Sequence, residues 1–266
     1  MTAAHDDDTG RPVILKVDRL CKNFGGLQAV TEFDLSLGAG DLKGLIGPNG
    51  AGKSTVFNLI SGLHKPTSGK VTLEGEDITG RSPDRIVKRG VARTFQMVRI
   101  LENRSVLDTM MTSFFLAYRY NVLDAVFLTR RYFEEEKRLA ERAVYYLSLL
   151  GVDHLKDKNG NELPYGLQRK VDIARTLCLG PKVLLLDEPM AGLNHQEKNE
   201  LVDTILRLRE KFNLSIILIE HDMRIIMNMC ESIVAMNQGT RISEGTADEI
   251  RQDPEVIAAY LGVTDA

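Results

Sequence analysis

The sequence is poor in cysteine and has no cluster of cationic residues, no membrane-length apolar run, no internal repeat and no low-complexity segment. Its three cysteines, Cys21, Cys178 and Cys230, are far apart, odd in number and set beside apolar neighbours. That pattern excludes a paired-cysteine metal site and predicts reduced core thiols of a cytosolic protein. With 34 basic and 37 acidic residues the formal charge is −3, which argues against duplex nucleic acid as the main partner. The most apolar candidate span, residues 106–128, is broken by Asp108, Arg119 and Asp124. A bilayer-crossing helix needs roughly 20 apolar residues, so the chain is not expected to cross a membrane by itself. The polar, acidic start reads as a frayed tail over residues 1–11, with no secretory signal.

What is present is an ordinary globular composition, 43% hydrophobic and 27% charged in 266 residues, enough for one nucleotide-binding-size unit with a subdomain. Residues 13–17 and then Phe33, Leu35 and Leu37 alternate as half-buried strands do. Short aliphatic strands follow at 42–46, 183–186, 214–219 and 232–236, and helices are expected at about 83–88 and 196–211. The middle third, 106–179, has no good strand candidate. Its Leu139, Ala143, Tyr146, Leu147 and Leu150 recur at helical spacing, with Glu134 and Arg138 four apart on the outer face. The mixture predicts an α/β sheet core interrupted by an all-helical insertion.

Residues 47–54 read G-P-N-G-A-G-K-S, a full match to the phosphate-loop pattern, lying between a predicted strand and a predicted helix. Gly47, Gly50 and Gly52 let the backbone N–H groups of the loop turn inward around phosphate oxygens, and Pro48, Asn49 and Ala51 complete the ATP-binding loop. Lys53 reaches the outer phosphates, while Ser54 and Thr55 open the helix and Ser54 is placed to ligate Mg²⁺. This predicts nucleoside triphosphate binding and leaves kinases, GTPases and several ATPase classes open. The strand V-L-L-L-D-E-P ends in Asp187, a candidate for the Mg²⁺ shell, and Glu188, a candidate to orient or deprotonate an attacking water. His221 ends another aliphatic strand in L-I-E-H-D; such a histidine is often structural, but beside Lys53 and Glu188 it is a candidate for the terminal phosphate. Gln96, in A-R-T-F-Q, offers an amide oxygen to Mg²⁺ or water, or is a solvated side chain. Phe24, in K-N-F-G-G, stacks on adenine or belongs to the core.

In this order, Phe24, the phosphate loop, Gln96, L-P-Y-G-L-Q, L-L-L-D-E-P and E-H-D resemble the ATP-binding subunits of ABC transporters over nearly the whole chain. F-G-G-L-Q-A-V, R-T-F-Q, A-G-L-N and E-H-D-M are most similar to the branched-chain amino acid importers, as is the tail from N-Q-G-T to A-A-Y-L-G. The resemblance implies an ABC-type nucleotide-binding domain with a RecA-like P-loop sheet core, an antiparallel β subdomain and an all-helical insertion. Its parts are 12–96 with 180–248 for core and β subdomain, 97–179 for the helical subdomain, and 249–266 for a C-terminal helix and tail, within a single domain spanning 12–262.

It further implies ATP and Mg²⁺, a head-to-tail pair of ATPase subunits, two permease subunits docking over the insertion and residues 96–101, a solute-binding protein, and a peripheral place on the cytoplasmic face of the plasma (inner) membrane. The family's signature, usually L-S-G-G-Q, acts on the partner's nucleotide; here it is Leu163, Pro164, Tyr165, Gly166 and Leu167, followed by Gln168. Proline removes a hydroxyl and a backbone donor, and Asn194 stands where aspartate is common, so a heterodimer with unequal sites is expected. Proline suits the first turn of the helix it opens. Urea-type import, lipid export and a non-transport ABC ATPase are the rival readings.

Overall fold

A computed structural model describes residues 11–94, 104–116 and 122–261. These fall in two compact units, one within 1–93, 182–189 and 205–266, the other within 94–181 and 190–204.

In the first unit the early alternation becomes two long strands, β1 (Val13–Phe24) and β2 (Leu27–Gly38). The alternation is legible only to residue 17 because the register of β1 against β2 shifts between Val17 and Leu20, where Arg19 takes φ 42°. A bulge inserts a residue and reverses the in-out pattern while the pairing continues beyond it. Leu15, Val17, Leu20, Phe33 and Leu37 still face inward and are fully buried. β4 (Ser68–Leu73) and β5 (Glu76–Asp77) complete an antiparallel sheet of order β2-β1-β4-β5.

The second sheet has at its centre β3 (Leu42–Ile46), β7 (Val183–Asp187) and β8 (Ser215–Ile219), buried at every position. Such strands read as unbroken aliphatic runs because both faces are covered. With β6 (Val91–Arg93), β9 (Ser232–Asn237) and β10 (Thr240–Gly245) the order is β10-β9-β3-β8-β7-β6, parallel except for β10. Helix α1 (Lys53–Ile60) sends Val56, Phe57 and Ile60 into one apolar cluster shared by both sheets. The expected helix after Ser82 is α2 (Pro83–Arg89), stopped by Gly90 at φ 104°. In an open parallel sheet the carboxyl ends of the strands form the ligand crevice, so the loops after β3, β7 and β8 are where chemistry is expected.

In the second unit are α3 (Val106–Met111), α4 (Val122–Val126), α5 (Arg130–Leu149) and α6 (Tyr165–Leu177). Among its described residues the only β pairing is an isolated bridge, Ser105 to Asn159. On α5, Leu139, Ala143 and Leu147 are buried at four-residue spacing. Outside, Arg130 bonds Glu134 at 2.7 Å, and Arg138 turns to Glu135, three positions back, at 2.6 Å. Helix α7 (His195–Phe212) opens on a reciprocal cap: Glu197 N–H donates to Asn194 Oδ1 and Asn194 N–H to Glu197 Oε2. The amide at 194 is thus used as a helix cap.

The remaining helices, α8 (Met223–Met229), α9 (Ala247–Gln252) and α10 (Pro254–Leu261), belong to the first unit. No helix among the described residues is long and apolar enough to cross a membrane. Burial pushes the Cys178 thiol up to about 12 and raises that of Cys230 in the same way, so both stay protonated at neutral pH.

Phe57 is wholly buried where α1 meets both sheets. Phe57→Ala is expected to cost about 3–5 kcal/mol in urea unfolding; a loss under about 1 kcal/mol would contradict this packing.

Candidate functional site

The loop between β3 and α1 depends on three glycines with positive φ, Gly47 at 149°, Gly50 at 82° and Gly52 at 103°. The reasons differ. A Cβ on Gly47 would stand 2.2 Å from the Met236 carbonyl oxygen, and one on Gly52 would stand 2.7 Å from that of Ala29. Backbone from β9 and β2 presses on the loop at those two points. Gly50 has nothing within 4 Å on that side and faces an opening. The helix that follows has Gly52 at its N-cap and no side-chain cap, so its first N–H groups are directed at the same opening.

Lys53 is only 6% exposed, and its Nζ donates to the carbonyls of Gly47 at 2.6 Å and Pro48 at 3.0 Å. The ammonium therefore staples the loop that carries it. Burial lowers its pKa from the ordinary value, opposed by the negative charges of Glu188 and Asp187.

Asp187 closes β7, buried, with Oδ2 2.7 Å from Arg93 Nη2. Arg93, from β6, also donates to Asn58 Oδ1 of α1 at 2.6 Å and lies over the Phe57 ring. The motif reading missed this arginine, whose signal was a cation ending a short apolar strand.

Glu188 has φ 47°, a left-handed conformation costly for a side-chain-bearing residue, and its N–H donates to Ile219 O at 2.9 Å. Its Oε1 lies 2.7 Å from His221 Nε2. The sequence suggested separate tasks for these two residues, and the fold brings them into direct contact. β7 and β8 are parallel neighbours with Asp187 opposite Ile219, so the residues after each strand emerge side by side.

A cavity of about 520 Å³ is lined by residues 49–55, Glu188, His221, Phe24 and part of β2. Phe24 is 41% exposed there, with His64 edge-on behind it and Lys22 Nζ 4.9 Å from its centroid. It is a surface aromatic and not part of the core. Gly47, Pro48 and Asp187 stand behind the lining, the first two bonded to Lys53. Gln96 lies outside the described residues.

The segment 163–168 belongs to the second unit. Leu163 is buried, and Pro164 is the N-cap of α6 rather than its first helical residue, with φ −51° and ψ 146°. The extended ψ is what sets this boundary: the Pro164 carbonyl already accepts from Leu167 and Gln168 N–H, while its own backbone lies outside the helix. Tyr165 stacks against Gly192 and its hydroxyl accepts from Arg169 at 2.8 Å. Gly166 packs closely on Leu193 and Glu197, and Gln168 Nε2 donates to Leu163 O at 2.8 Å.

A family model described as ABC transporter matches residues 30–191, and one described as branched-chain amino acid ATP-binding cassette transporter matches residues 240–266. The high-affinity branched-chain amino acid transport ATP-binding protein BraF of Pseudomonas aeruginosa is 39% identical over 94% of this chain and 98% of its own. The corresponding protein LivG of Escherichia coli strain K12 is 38% identical over the same shares. A nucleotide-free ATP-binding cassette from an ABC transporter is similar in structure at TM-score 0.82 and 30% identity, covering 93% of this chain and 98% of that one. The ADP conformation of such a cassette gives 0.81 at 31%, covering 94% and 99%.

The chain belongs to the ABC transporter family, as one of its nucleotide-binding ATPase subunits. Within that class its similarity runs to the ATP-binding proteins of branched-chain amino acid transporters.

The two kinds of glycine separate by mutation. Gly50→Ala, strained only through its φ, is expected to lose about 1–2 kcal/mol, and Gly47→Ala, which also drives a Cβ into backbone, distinctly more. Equal losses in urea unfolding would contradict the distinction.

Proposed function

We propose that this chain is the ATP-hydrolysing subunit of an importer of branched-chain, hydrophobic amino acids, acting on the cytoplasmic face of the plasma (inner) membrane beneath separate permease subunits. The observation that carries the hydrolytic part is the 2.7 Å contact of Glu188 and His221 on the wall of the cavity that residues 49–55 line. Glu188 orients an attacking water or takes its proton, and His221, held by that carboxylate, presents its ring to the terminal phosphate. The loop N–H groups and the start of α1 receive phosphate oxygens, and Lys53 exchanges its carbonyl partners for them. Phe24 stacks on the adenine.

Mg²⁺ fits the donor set. Among the described residues no group of three or more His, Cys, Asp or Glu side chains is placed to hold a metal alone. Mg²⁺ instead takes one or two carboxylates, with other oxygens supplied by substrate phosphates and water, and needs no such cluster. Ser54 at the cavity, Asp187 behind it and Gln96 are the oxygens assigned to it. When bound, it neutralises charge on the phosphate oxygens. Arg93 fixes the Asp187 carboxylate between β6 and α1.

Residues 97–179 serve as the helical subdomain that, with 96–101, receives the permeases, and a solute-binding protein delivers the amino acid. The cargo assignment is supported by the match at 240–266 and by the named relatives. Two ATPase subunits pair head to tail, with residues 163–168 of this chain completing the partner's site. Pro164 supplies neither a hydroxyl nor an N–H there, so the partner is a different subunit and its site has fewer phosphate donors than this chain's own.

Uptake and ATP turnover by the complex reconstituted with its permeases, partner ATPase and solute-binding protein test this reading. Leucine, isoleucine or valine is expected to be imported, and Glu188→Gln to lower turnover about 100-fold or more while ATP still binds. The equivalent change in the partner is expected to cost less. Equal losses would remove the asymmetry, and urea import or lipid export would overturn the cargo.

A further inference from the structure

The last described helix reaches the phosphate loop. Helix α10 is capped by Asp253, whose Oδ1 accepts from the N–H groups of Glu255 and Val256, and it docks by the buried Val256 and Ala259. At its far end Tyr260 Oη accepts the N–H of Gly47 at 2.9 Å, across a sequence separation of 213. The Gly47 carbonyl accepts from Lys53 at 2.6 Å. Both polar groups of the loop's first residue are therefore held by side chains. Gly47 has no Cβ through which packing could fix it, and its φ of 149° is open to few other residues. Those two bonds set the orientation of the peptide planes on either side of it.

The two bonds have different fates when phosphate arrives. Lys53 must leave the carbonyls to reach phosphate oxygens, which removes one of the two constraints on Gly47. Tyr260 lies behind the loop and does not line the cavity, so nucleotide does not displace it. Burial raises the Tyr260 pKa despite the bond from Gly47, which keeps the ring a neutral phenol at physiological pH.

We infer that Tyr260 is a positioning residue for the phosphate loop: its phenolic oxygen holds Gly47 in the phosphate-accepting geometry after Lys53 has moved, so that the C-terminal helix sets nucleotide affinity. This rests on the reading of residues 47–55 as the nucleotide site. It gives the segment 240–266, which carries the branched-chain amino acid family match, a task inside the ATPase itself.

The test is ATP binding and turnover by the full chain as wild type, Tyr260→Phe and Ile257→Ala, with amide hydrogen exchange at Gly47. Tyr260→Phe keeps the ring and removes only the acceptor. It is expected to raise the Kd for ATP about 3- to 10-fold, the range of one hydrogen bond, to raise KM more than it lowers kcat, and to speed Gly47 exchange. Thermal unfolding is expected to stay close to wild type. Ile257→Ala, on the exposed side of α10, is expected to leave affinity and exchange unchanged. Unchanged affinity and exchange in Tyr260→Phe, or the same loss in Ile257→Ala, would overturn the inference. If the wild type bound no ATP, the reading of the loop would fail instead, and Gly47 exchange, which needs no nucleotide, would still decide the role of Tyr260.

Discussion

A buried ammonium held by the carbonyls of its own loop is the interaction on which the rest of this site depends. Lys53 is buried at the end of the loop, lines the cavity and is bonded to the carbonyls of Gly47 and Pro48. Desolvating a charge is expensive, and neutral carbonyls offset only part of that expense. Asp187 and Glu188 offset a further part, because their negative charges favour the protonated lysine, though burial still leaves its pKa below the ordinary value. The acids at the end of β7 therefore help hold the loop after β3 before either meets a substrate.

The surrounding structure follows from that arrangement. The loop approaches β9 and β2 so closely that only glycine fits at 47 and 52. Arg93 ties Asp187 to α1, so one side chain links the loop's helix to the acidic strand end. Glu188 is held in a left-handed conformation by its N–H bond to Ile219, which aims its carboxylate at His221. Strain of this kind persists where neighbouring contacts over-determine it, and Glu188 is the residue proposed to carry chemistry that bears it.

Contiguous features were legible in the sequence. The phosphate loop, the aliphatic strands and the acidic pair each lie within one short stretch, and local spacing carries their meaning. Features that depend on which strands are neighbours were not legible. Glu188 and His221 could each be placed at a strand end, but their contact needed the parallel pairing of β7 with β8. Arg93 stood in a quoted motif without showing its partner, and Tyr260 stood in a recognised tail without showing that it reaches Gly47. The bulge at Arg19 hid half of β1 because a shifted register erases the alternation used to read strands. Pro164 reads from the sequence as part of the helix's first turn; its extended ψ puts it at the cap.

The central claim is that Lys53 is buried for its ligand and not for the fold. Equilibrium ATP binding by Lys53→Met, measured beside urea unfolding of the same protein, tests it most directly. Loss of charge-assisted bonds to phosphate predicts an affinity about 10- to 100-fold weaker, while stability stays within about 2 kcal/mol of wild type because the desolvated charge is removed with its bonds. Unchanged ATP affinity, or a loss of stability as large as that from emptying the core at Phe57, would contradict the account.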